Sequence, residues 1–243
     1  MSVVTVREVV KPSGTRPDFF TTYCDIDPLG WQRPNLTNMS NCSLERDLEF
    51  FNGGLGNDVT LQEPIILSHV AAALVDDEGE VHVAELPEVG PVGVAVWFGP
   101  GHKFLSTEAQ RNAGWNQLMD RLADTYRNWW TTFLKQYDEL IDKTVGASVK
   151  LGGYHLQLIG VTPEHQKKGV ATARMRYAEN KAHAARVPTL LETVGSTNVQ
   201  IYKSLKYEVA GSGPLSMFPP SPPDASFEMF VFIKHTEAED FQE

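Results

Sequence analysis

Apolar and polar residues follow their clearest pattern between positions 154 and 207. Residues 154–161 are apolar on both faces apart from His155 and Gln157, which predicts an interior strand. After a polar turn, a helix is predicted to open at Gly169. Its apolar positions recur at steps of three and four residues and form one stripe on the helical period. The stripe consists of Ala171, Met175, Ala178, Ala182 and Ala185.

A second strand and a second helix follow in the same segment. Pro188 ends the first helix, and residues 189–193 are predicted as a second buried strand. The Gly-Ser-Thr sequence at 195–197 predicts a turn with capping side chains, and residues 198–205 predict a helix. Two strands separated by one helix predict a parallel pair joined by a right-handed crossover.

The rest of the chain carries weaker patterns. Residues 11–58 are irregular and rich in Pro, Gly, Asn and Asp, but they are too aromatic for a disordered segment. Trp97, Trp129 and Trp130 are interpreted as core residues. In chain order we predict a strand at 3–10, helices at 43–51 and 63–75, a hairpin of strands at 80–86 and 92–98, helical residues at 106–144, a strand from 207 through 209, a proline-rich loop at 211–224, a strand at 227–234 and a frayed acidic end at 235–243.

The composition is that of an ordinary globular protein, with 42% hydrophobic and 10% aromatic residues over 243 positions. The sequence has no internal repeat and no domain linker, so one domain is predicted. With 21 Lys and Arg against 31 Asp and Glu, the net charge is −10. This charge disfavours nucleic acid and anionic membranes as partners and attracts a cationic amine. A role in solubility alone is the alternative.

Signals for the cellular compartment are few. Residues 1–14 lack the apolar core of a signal peptide, and we expect no run long enough to span a membrane. Cys24 and Cys42 do not make a disulfide framework and are expected to be free thiols. The glycosylation sequons at Asn35, Asn38 and Asn41 matter only in a secreted chain, and we interpret them as coincidental. The expected location is the cytoplasm.

The loop between the first strand of this segment and its helix has the features of an anion site. The first N–H groups of a helix lack partners, and the helix dipole adds about half a positive charge there. Gly169 lets a ligand approach the backbone, and Lys167 and Lys168 add full charges. A phosphate or pyrophosphate is therefore the expected ligand. The lysines precede the glycine, unlike in a P-loop, and only Gly169 of the three glycines of a dinucleotide fingerprint is present.

Two short motifs lie in this segment. Shortly after Val161 comes the run Gln166-Lys167-Lys168-Gly169-Val170-Ala171, and a later helix carries Asn198 and Tyr202 in the pattern Asn-x-x-x-Tyr. Both resemble motifs of the GNAT superfamily of N-acetyltransferases, whose acetyl-CoA loop is Gln/Arg-x-x-Gly-x-Gly/Ala and whose Asn-x-x-x-Tyr is followed by Gly-Phe or Gly-Tyr. Here Lys206 stands before Tyr207, so this lysine must adopt a left-handed conformation or the helix must end differently. The resemblance is close over residues 154–207 and holds in outline elsewhere.

The resemblance implies an α/β fold with a central mixed, mostly antiparallel sheet that contains a splayed parallel strand pair and is flanked by helices. Residues 1–150 are the N-terminal strands and acceptor-side helices of a single domain, 151–235 its acetyl-CoA-binding core, and 236–243 an acidic tail. Acetyl-CoA is the implied co-substrate. The implied acetyl-CoA-binding residues are Ile159, Gly160, Val161, Gln166, Lys167, Lys168, Gly169, Val170, Ala171, Thr172, Asn198 and Tyr202.

Direct transfer of acetyl from the CoA thioester to an amine needs an acid for the departing thiolate and a base for the incoming ammonium. Tyr202, with a reference pKa of about 10, is the candidate acid, and a packing tyrosine is the alternative. His155 is the first candidate base and Glu192 the second, with a core histidine and a water chain as the alternative. The sequence shows no metal-ligand spacing, so no metal is expected, and no serine nucleophile motif.

We expect the acceptor to be a small-molecule amine, because the chain is acidic and its early loops are hydrophobic. A protein or histone lysine acetyltransferase and a non-catalytic acyl-CoA-binding sensor are the alternatives. The resemblance also implies that the loop at 211–224 lies beside the acceptor tunnel as a lid with Met217 and Phe218 at its tip. A stiff surface connection is the alternative for this loop. The oligomeric state is open, and a homodimer is one arrangement.

Overall fold

The computed structural model describes residues 4–9 and 45–236. Within them, one sheet has the strand order β1-β2-β3-β4-β5-β7-β6. Its strands are β1 (Thr5–Glu8), β2 (Glu80–Leu86), β3 (Gly90–Phe98), β4 (Tyr154–Val161), β5 (Thr189–Val194), β6 (Glu208–Ser216) and β7 (Ser226–Lys234). Our predictions for Cys24, Cys42, the three sequons and the acidic end from residue 237 fall outside the described residues.

Helices cover both faces of this sheet. Those of the described part are α1 (Glu45–Gly54), α2 (Gln62–Leu74), α3 (Glu108–Gln110), α4 (Asn116–Arg121), α5 (Asp124–Thr144), α6 (Ala147–Gly152), α7 (Val170–Ala185) and α8 (Ser196–Ser204). A π-helical turn, Arg111–Trp115, joins α3 to α4. The region predicted as two helices between 106 and 144 is therefore broken once more than expected, near Gly114, whose backbone is not helical.

The strand pairing confirms the predicted fold class. Every neighbouring pair in the sheet is antiparallel except β4 and β5, which run parallel. The connection between these two strands is α7, as the alternating strand and helix pattern predicted. β4 has the predicted bounds, and β5 and β7 each differ from the prediction by one residue.

Alternate residues of β3 show how the two faces of the sheet are covered, because successive side chains of a strand point to opposite faces. Ala95 and Trp97 pack with the predicted stripe of α7, of which Met175, Ala178 and Ala182 are buried. Val96 and Phe98 pack with α2 on the other face. Trp97 is fully buried, which confirms its interpretation as a core residue.

A cluster of aromatic side chains lies on the α2 face and joins α1, α4 and α5. Trp129 and Trp130 are both buried within it, and their indole N–H groups donate to the carbonyls of Ser216 and Gly54, respectively. Phe218, predicted at the tip of a lid, packs against the same cluster. The aromatic stripe of α5 thus serves as a core, as predicted, and the proline-rich connection is tied to it.

β6 extends beyond the predicted strand. The glycines and prolines after Val209 predicted a loop from residue 211, whereas the structure continues the strand to Ser216. Pro214 is tolerated because β6 is an edge strand, in which one side of the backbone needs no strand partner. The predicted capping side chains at 196–197 are also wrong, since Gly195 occupies the N-cap of α8 and no side chain caps it.

One apolar segment is long enough to span a membrane, whereas we expected none. Val59–Asp77 is 19 residues long with a mean hydropathy of 1.2, which meets the length and composition of a span. This segment contains α2, and 44% of it is buried inside the protein. Such a combination also characterises the core helix of a globular domain.

Candidate active site

The parallel strands β4 and β5 separate half-way along their length. They pair at Tyr154, His155 and Leu156, opposite Thr189, Leu190 and Leu191. Beyond that point, within the part of the chain that the structure describes, β4 pairs only with β3 and β5 only with β7. At the same point Val96 lies opposite Leu158 and Trp97 opposite Leu156, so Gln157 is an extra residue that bulges from β4. The sheet therefore contains a gap between two of its own central strands.

A cavity of about 120 Å³ occupies this gap. From the two strands it is lined by Gln157, Ile159, Glu192 and Val194, among others, and from α8 by Tyr202. Ile159 and Tyr202 belong to the core on the α7 face. The opposite wall comes from the aromatic cluster on the α2 face, and its rings are Phe50, Phe51, Phe104, Trp115, Trp130 and Phe133. The cavity thus connects the two faces of the sheet.

Both candidate bases lie at this gap and contact each other. The Nε2 atom of His155 is 2.7 Å from Oε2 of Glu192, and the two side chains are 2% and 5% exposed. The hydroxyl of Tyr137, on α5, donates to the same carboxylate oxygen at 2.5 Å and lies 3.3 Å from Nε2 of His155. Glu192 and Tyr137 line the cavity wall, with His155 behind them.

The three side chains form one electrostatic unit. Burial alone raises the pKa of the Glu192 carboxyl, but the charges of His155 and Lys150 and the hydrogen bonds from His155 and Tyr137 outweigh it, so its pKa lies below the usual value. Burial, with the adjacent Glu192 charge, raises the pKa of Tyr137 well above its usual range. Tyr137 therefore acts as a hydrogen-bond donor to an ionised carboxylate.

Two oxygen atoms of cavity-lining residues have no hydrogen-bond partner within the described residues. They are Oε1 of Glu192 and Oε1 of Gln157, both fully buried. Buried acceptors left without a donor carry a free-energy penalty of about 1–3 kcal/mol each. A ligand that brings N–H groups into this cavity would satisfy them.

His69 completes the wall as a neutral ring. Its imidazole stacks on Phe104 with ring centroids 4.4 Å apart, and its Nδ1 atom lies 2.7 Å from the carbonyl of Ile65. Burial lowers the pKa of His69 to about 4, despite the opposing effect of that hydrogen bond. At neutral pH the ring is uncharged, so Glu192 provides the negative charge of the cavity wall.

The predicted anion loop lies at the same end of β4. A 3₁₀ turn, Pro163–His165, follows the strand, and Gly169 occupies the N-cap of α7 with a left-handed φ of 81° and no capping side chain. A Cβ atom at Gly169 would meet nothing within 4 Å. Lys167 and Lys168 are exposed next to it. The start of α7 is therefore open to a ligand, as the sequence predicted for an anion site.

A buried arginine ties this loop to the gap. Arg174, on α7, is fully buried, and its Nη1 atom donates to the carbonyl of Gly160 at 2.7 Å. The guanidinium lies against Gly93 of β3, where a Cβ atom would come within 2.7 Å of it. Gly93 thus allows the close approach. Arg174 fixes the end of β4 relative to the helix that opens the anion loop.

The other predicted ligand-binding residues are distributed as follows. Ile159 lines the cavity, while Gly160 and Val161 pair with β3 beside it. The amide of Gln166 points back to the carbonyl of Val161 at 3.4 Å. Asn198 is half-buried one helical turn before Tyr202 and does not line the cavity. The loop residues Lys167, Lys168, Val170, Ala171 and Thr172 surround Gly169 at the start of α7.

One group of carboxylate and imidazole side chains in the described residues is close enough to hold a metal ion. Glu8, Glu80 and His82 have ligand atoms within 4.8 Å of one another. The ammonium of Lys181 is already there, 2.8 Å from Glu8 and 2.7 Å from Glu80. Burial alone would lower the pKa of Lys181, but hydrogen bonds and charge attraction from the two carboxylates raise it above its usual value. A permanent cation therefore compensates part of the negative charge of this group.

The chain resembles solved acetyltransferase structures. A polyamine N acetyltransferase from Drosophila melanogaster is 13% identical over 64% of this chain and 74% of its own, with a TM-score of 0.44. A protein from Desulfovibrio desulfuricans assigned to the GNAT family is 12% identical, with coverages of 97% and 100% and a TM-score of 0.44. yncA of Salmonella typhimurium, solved with its cofactor acetyl-CoA, is 12% identical, with coverages of 97% and 95% and a TM-score of 0.46.

No protein-family model and no curated protein matches the sequence. The identities and TM-scores of the similar structures are too low to carry a functional conclusion on their own. What this chain does is therefore inferred from the gap in the sheet, the cavity and the side chains around it.

Among the cavity residues that sequence reasoning missed are Tyr137, Gln157 and His69. Tyr137 continues the aromatic stripe of α5, one turn after Phe133, so a longer stripe was the signal that could have found it. Gln157 was noted only as a polar residue in an apolar strand. His69 lies inside the predicted helix at 63–75 with no sequence signal of its own, because its stacking partner Phe104 is distant in sequence.

Proposed function

We propose that this protein is an acetyl-CoA-dependent N-acetyltransferase of the GNAT superfamily that acetylates the amine of a small molecule. The observation that carries the proposal is the cavity in the gap between β4 and β5, which is lined by residues from both faces of the sheet. Such a cavity suits two substrates that enter from opposite faces and meet between the strands. Glu192 and Tyr202, a carboxylate and a phenol, both line it.

The start of α7 fits the pyrophosphate of acetyl-CoA. Gly169 leaves open space beside the first turn, and the free N–H groups of that turn provide donors for phosphate oxygens. Lys167 and Lys168 would add attraction for the negative charge. Past Leu156, the edge of β4 that faces β5 has no strand partner and is available to the rest of the co-substrate. Acetyl-CoA supplies an acetyl group that is activated as a thioester.

The amine needs a proton acceptor, because a primary ammonium has a pKa of about 10. We assign this role to the Glu192 and His155 pair, with Glu192 facing the amine and His155 hydrogen-bonded behind it. The geometry supports an order of roles that differs from our first expectation, in which His155 contacted the amine itself. In this proposal Oε1 of Glu192, which has no partner within the described residues, accepts a hydrogen bond from the N–H group of the amine.

Tyr202 is proposed as the acid. Its ring lines the cavity on the α7 face and packs against Tyr207 and Phe232, which fix its position. As the carbon–nitrogen bond forms and the carbon–sulfur bond breaks, the phenol donates its proton to the departing thiolate. The ammonium loses two protons in all, and the Glu192 and His155 pair accepts each in turn. One proton passes to solvent and the other restores the phenol of Tyr202, so the products are the amide, the free thiol and one released proton.

Calorimetric titration with acetyl-CoA tests the donor site. We expect the wild type to bind with micromolar affinity and Gly169→Glu to lose binding, because the new carboxylate would occupy the anion site. Gly169→Ala is the matched control. It imposes the same backbone strain at a φ of 81° but adds no charge and only a methyl group in the open space, so it should retain most of the affinity.

Release of free thiol in the presence of amines then tests transfer. Turnover that depends on both substrates supports an enzyme, whereas binding of acetyl-CoA without turnover on any amine would favour an acyl-CoA-binding sensor. A folded wild type that does not bind acetyl-CoA would overturn the proposal.

A further inference from the structure

We propose that the acceptor is a compact primary monoamine with one ring-sized apolar body, whose ammonium group binds Oε1 of Glu192. This inference rests on the proposed acetyl transfer and adds the class of the substrate. It follows from three properties of the cavity: its charge, its size and the chemistry of its wall.

Charge is the first property. Glu192 is the one carboxylate among the described residues that line the cavity, and its two oxygens have different surroundings. Oε2 accepts from Tyr137 and His155, whereas Oε1 is buried and has no partner within the described residues. A buried, unpartnered carboxylate oxygen is costly until a donor arrives, and a cationic N–H donor compensates it best. The unpartnered Oε1 of Gln157 offers a second acceptor to the same nitrogen.

Among the described residues the lining holds no second carboxylate, which argues against a polyamine. A diamine or polyamine that entered the cavity would bring a second ammonium to a wall of aromatic rings and a neutral imidazole. The ammonium of Lys150 lies 4.6 Å from the centre of the Tyr137 ring and pairs with Asp138 at 2.9 Å. Asp138 does not line the cavity, so it offers nothing to a second substrate charge.

Size and wall chemistry specify the rest of the molecule. The cavity volume is about 120 Å³. This is somewhat less than the roughly 150 Å³ of a closed apolar cavity that holds benzene, and the cavity is partly open to solvent, so its inner part admits no more than about one ring or a short branched chain. The wall on the α2 face is built from phenyl and indole rings, which prefer an apolar or aromatic body to a hydrated one. A protein lysine, with a peptide backbone close behind its side chain, would need an open groove.

Two separate measurements on a panel of small molecules test this substrate class. The first is tryptophan fluorescence without acetyl-CoA, because Trp115 and Trp130 line the cavity. We expect 2-phenylethylamine to change the emission with saturation, and the neutral 2-phenylethanol, which lacks the ammonium, to bind at least about tenfold more weakly. The second readout is thiol release with saturating acetyl-CoA. There we expect kcat/KM for 2-phenylethylamine to exceed that for spermidine and for a lysine-containing peptide by at least about tenfold.

Failures of the two proposals are distinguishable. Spermidine or the peptide as the preferred substrate would overturn the monoamine class and leave the acetyltransferase proposal intact. No binding of acetyl-CoA would overturn the acetyltransferase proposal, while the fluorescence titration would still report on the cavity. Equal binding of 2-phenylethylamine and 2-phenylethanol would overturn the role of Glu192.

Three variants locate the effect. Glu192→Gln keeps the shape of the side chain and removes its charge, so it should weaken binding of 2-phenylethylamine to the level of 2-phenylethanol. Phe104→Ala enlarges the cavity and should shift the preference from phenyl to larger naphthyl amines by about tenfold. Phe227→Ala is its control, because Phe227 packs against the same aromatic cluster but does not line the cavity, and it should leave the preference unchanged. The same shift in both phenylalanine variants would contradict the assignment of the wall.

Discussion

At the scale of single residues, Glu192 is held in a state that is ready to bind a cation. A buried carboxylate is stable only if its charge is compensated, and here His155 and Tyr137 both donate to Oε2. Because the two donors share one oxygen, the other oxygen has no partner within the described residues. The arrangement fixes the carboxylate before a ligand arrives, so no side chain needs to reorder on binding.

Tyr137→Phe tests how the hydroxyl acts on Glu192. The variant keeps the ring that lies 4.6 Å from the ammonium of Lys150, but it removes a hydrogen bond that lowers the pKa of Glu192. The pKa of Glu192 should therefore rise. If ionised Glu192 binds the substrate ammonium, kcat/KM falls as the pH drops through this pKa, and the acid limb of the profile moves to higher pH in the variant.

The control for this measurement is Tyr126→Phe, the same change on the same helix. Tyr126 packs against the aromatic cluster and does not line the cavity, so its replacement should leave the acid limb in place. An unchanged limb in a folded Tyr137→Phe variant would show that the hydroxyl only packs.

His69 makes the stability of the protein sensitive to acid. Burial lowers its pKa to about 4, whereas an unfolded chain has a histidine pKa of about 6.5. Between pH 6.5 and pH 4, the histidine is protonated in the unfolded chain but remains neutral in the folded protein. The free energy of unfolding therefore falls as the pH drops through this range. Since each pH unit contributes about 1.4 kcal/mol, the loss amounts to about 3 kcal/mol.

Replacement of His69 by phenylalanine keeps a flat ring against Phe104 and removes the titrating group. Urea unfolding near pH 7 and near pH 4.5 should show that the variant loses about 2–3 kcal/mol less than the wild type over this interval. Equal losses in both proteins would mean that His69 accepts its proton without opening the fold.

Local sequence pattern predicted part of the site and could not predict the rest. Tyr202 follows Asn198 by four residues, and His155 lies inside a short strand, so both can be read from neighbouring residues. Tyr137 joins Glu192 across 55 positions of sequence. The contact forms because Tyr137 of α5 reaches both His155 of β4 and Glu192 of β5. The residues next to Tyr137 in the sequence give no sign of it.

At the scale of secondary structure elements, the end of α8 shows which of two conformations Lys206 adopts. The sequence allowed either a left-handed lysine or a different end to the helix. Its backbone adopts a left-handed φ of 70°, so the lysine accepts the conformation that glycine would take more easily. The neighbouring N–H groups of Lys206 and Tyr207 donate to the carbonyls of Lys203 and Tyr202 and close the helix.

Lys206→Gly should therefore stabilise the protein by up to about 1 kcal/mol, the cost of a left-handed non-glycine residue less the extra entropy of glycine in the unfolded chain. Lys203→Gly is the matched control, because Lys203 is equally exposed but lies in the helix. There the same change should destabilise by about 1 kcal/mol. Thermal or urea unfolding measures the change in stability of each variant. Destabilisation by Lys206→Gly would contradict the proposal that Lys206 is strained.

The strands show where periodicity succeeds and where it does not. β4 was predicted with its bounds because its apolar run ends at the polar turn of Thr162 and Pro163. β6 was predicted only through Val209 because Gly211, Gly213 and Pro214 are typical of loops. Those residues remain in a strand because α5 and β7 hold β6 on two sides, with Leu140 and Thr144 of α5 covering the glycines.

At the scale of the whole molecule, the two halves of the sequence build one sheet. β1, β2 and β3 come from the first 150 residues, and β4 to β7 come from the rest. The pairing of β3 with β4 crosses this division from Gly93 and Val161 to Phe98 and His155. Helix α5, from the first half, lies over β6, from the second. The cavity takes its aromatic wall from one half and its polar groups largely from the other.

This architecture leads us to expect one cooperative unfolding transition. Trp97, Trp115, Trp129 and Trp130 all belong to the first half, so tryptophan fluorescence follows that half among the described residues. Hydrogen exchange of the β5 and β7 amides follows the second half. If the two halves separated, β3 and β4 would each lose a strand partner. Both probes should therefore report the same midpoint in urea.

Gln136→Ala provides the discriminating variant for that expectation. Gln136 of α5 exchanges two hydrogen bonds with Ser216 of β6, at 2.9 and 3.0 Å, so it joins the two halves directly. Its removal should lower the free energy of unfolding by about 1–2 kcal/mol. In a single cooperative unit the fluorescence and exchange midpoints fall together by the same amount. A variant in which only the amides of the second half lose protection would show instead that the halves unfold separately, and that the cavity opens when they part.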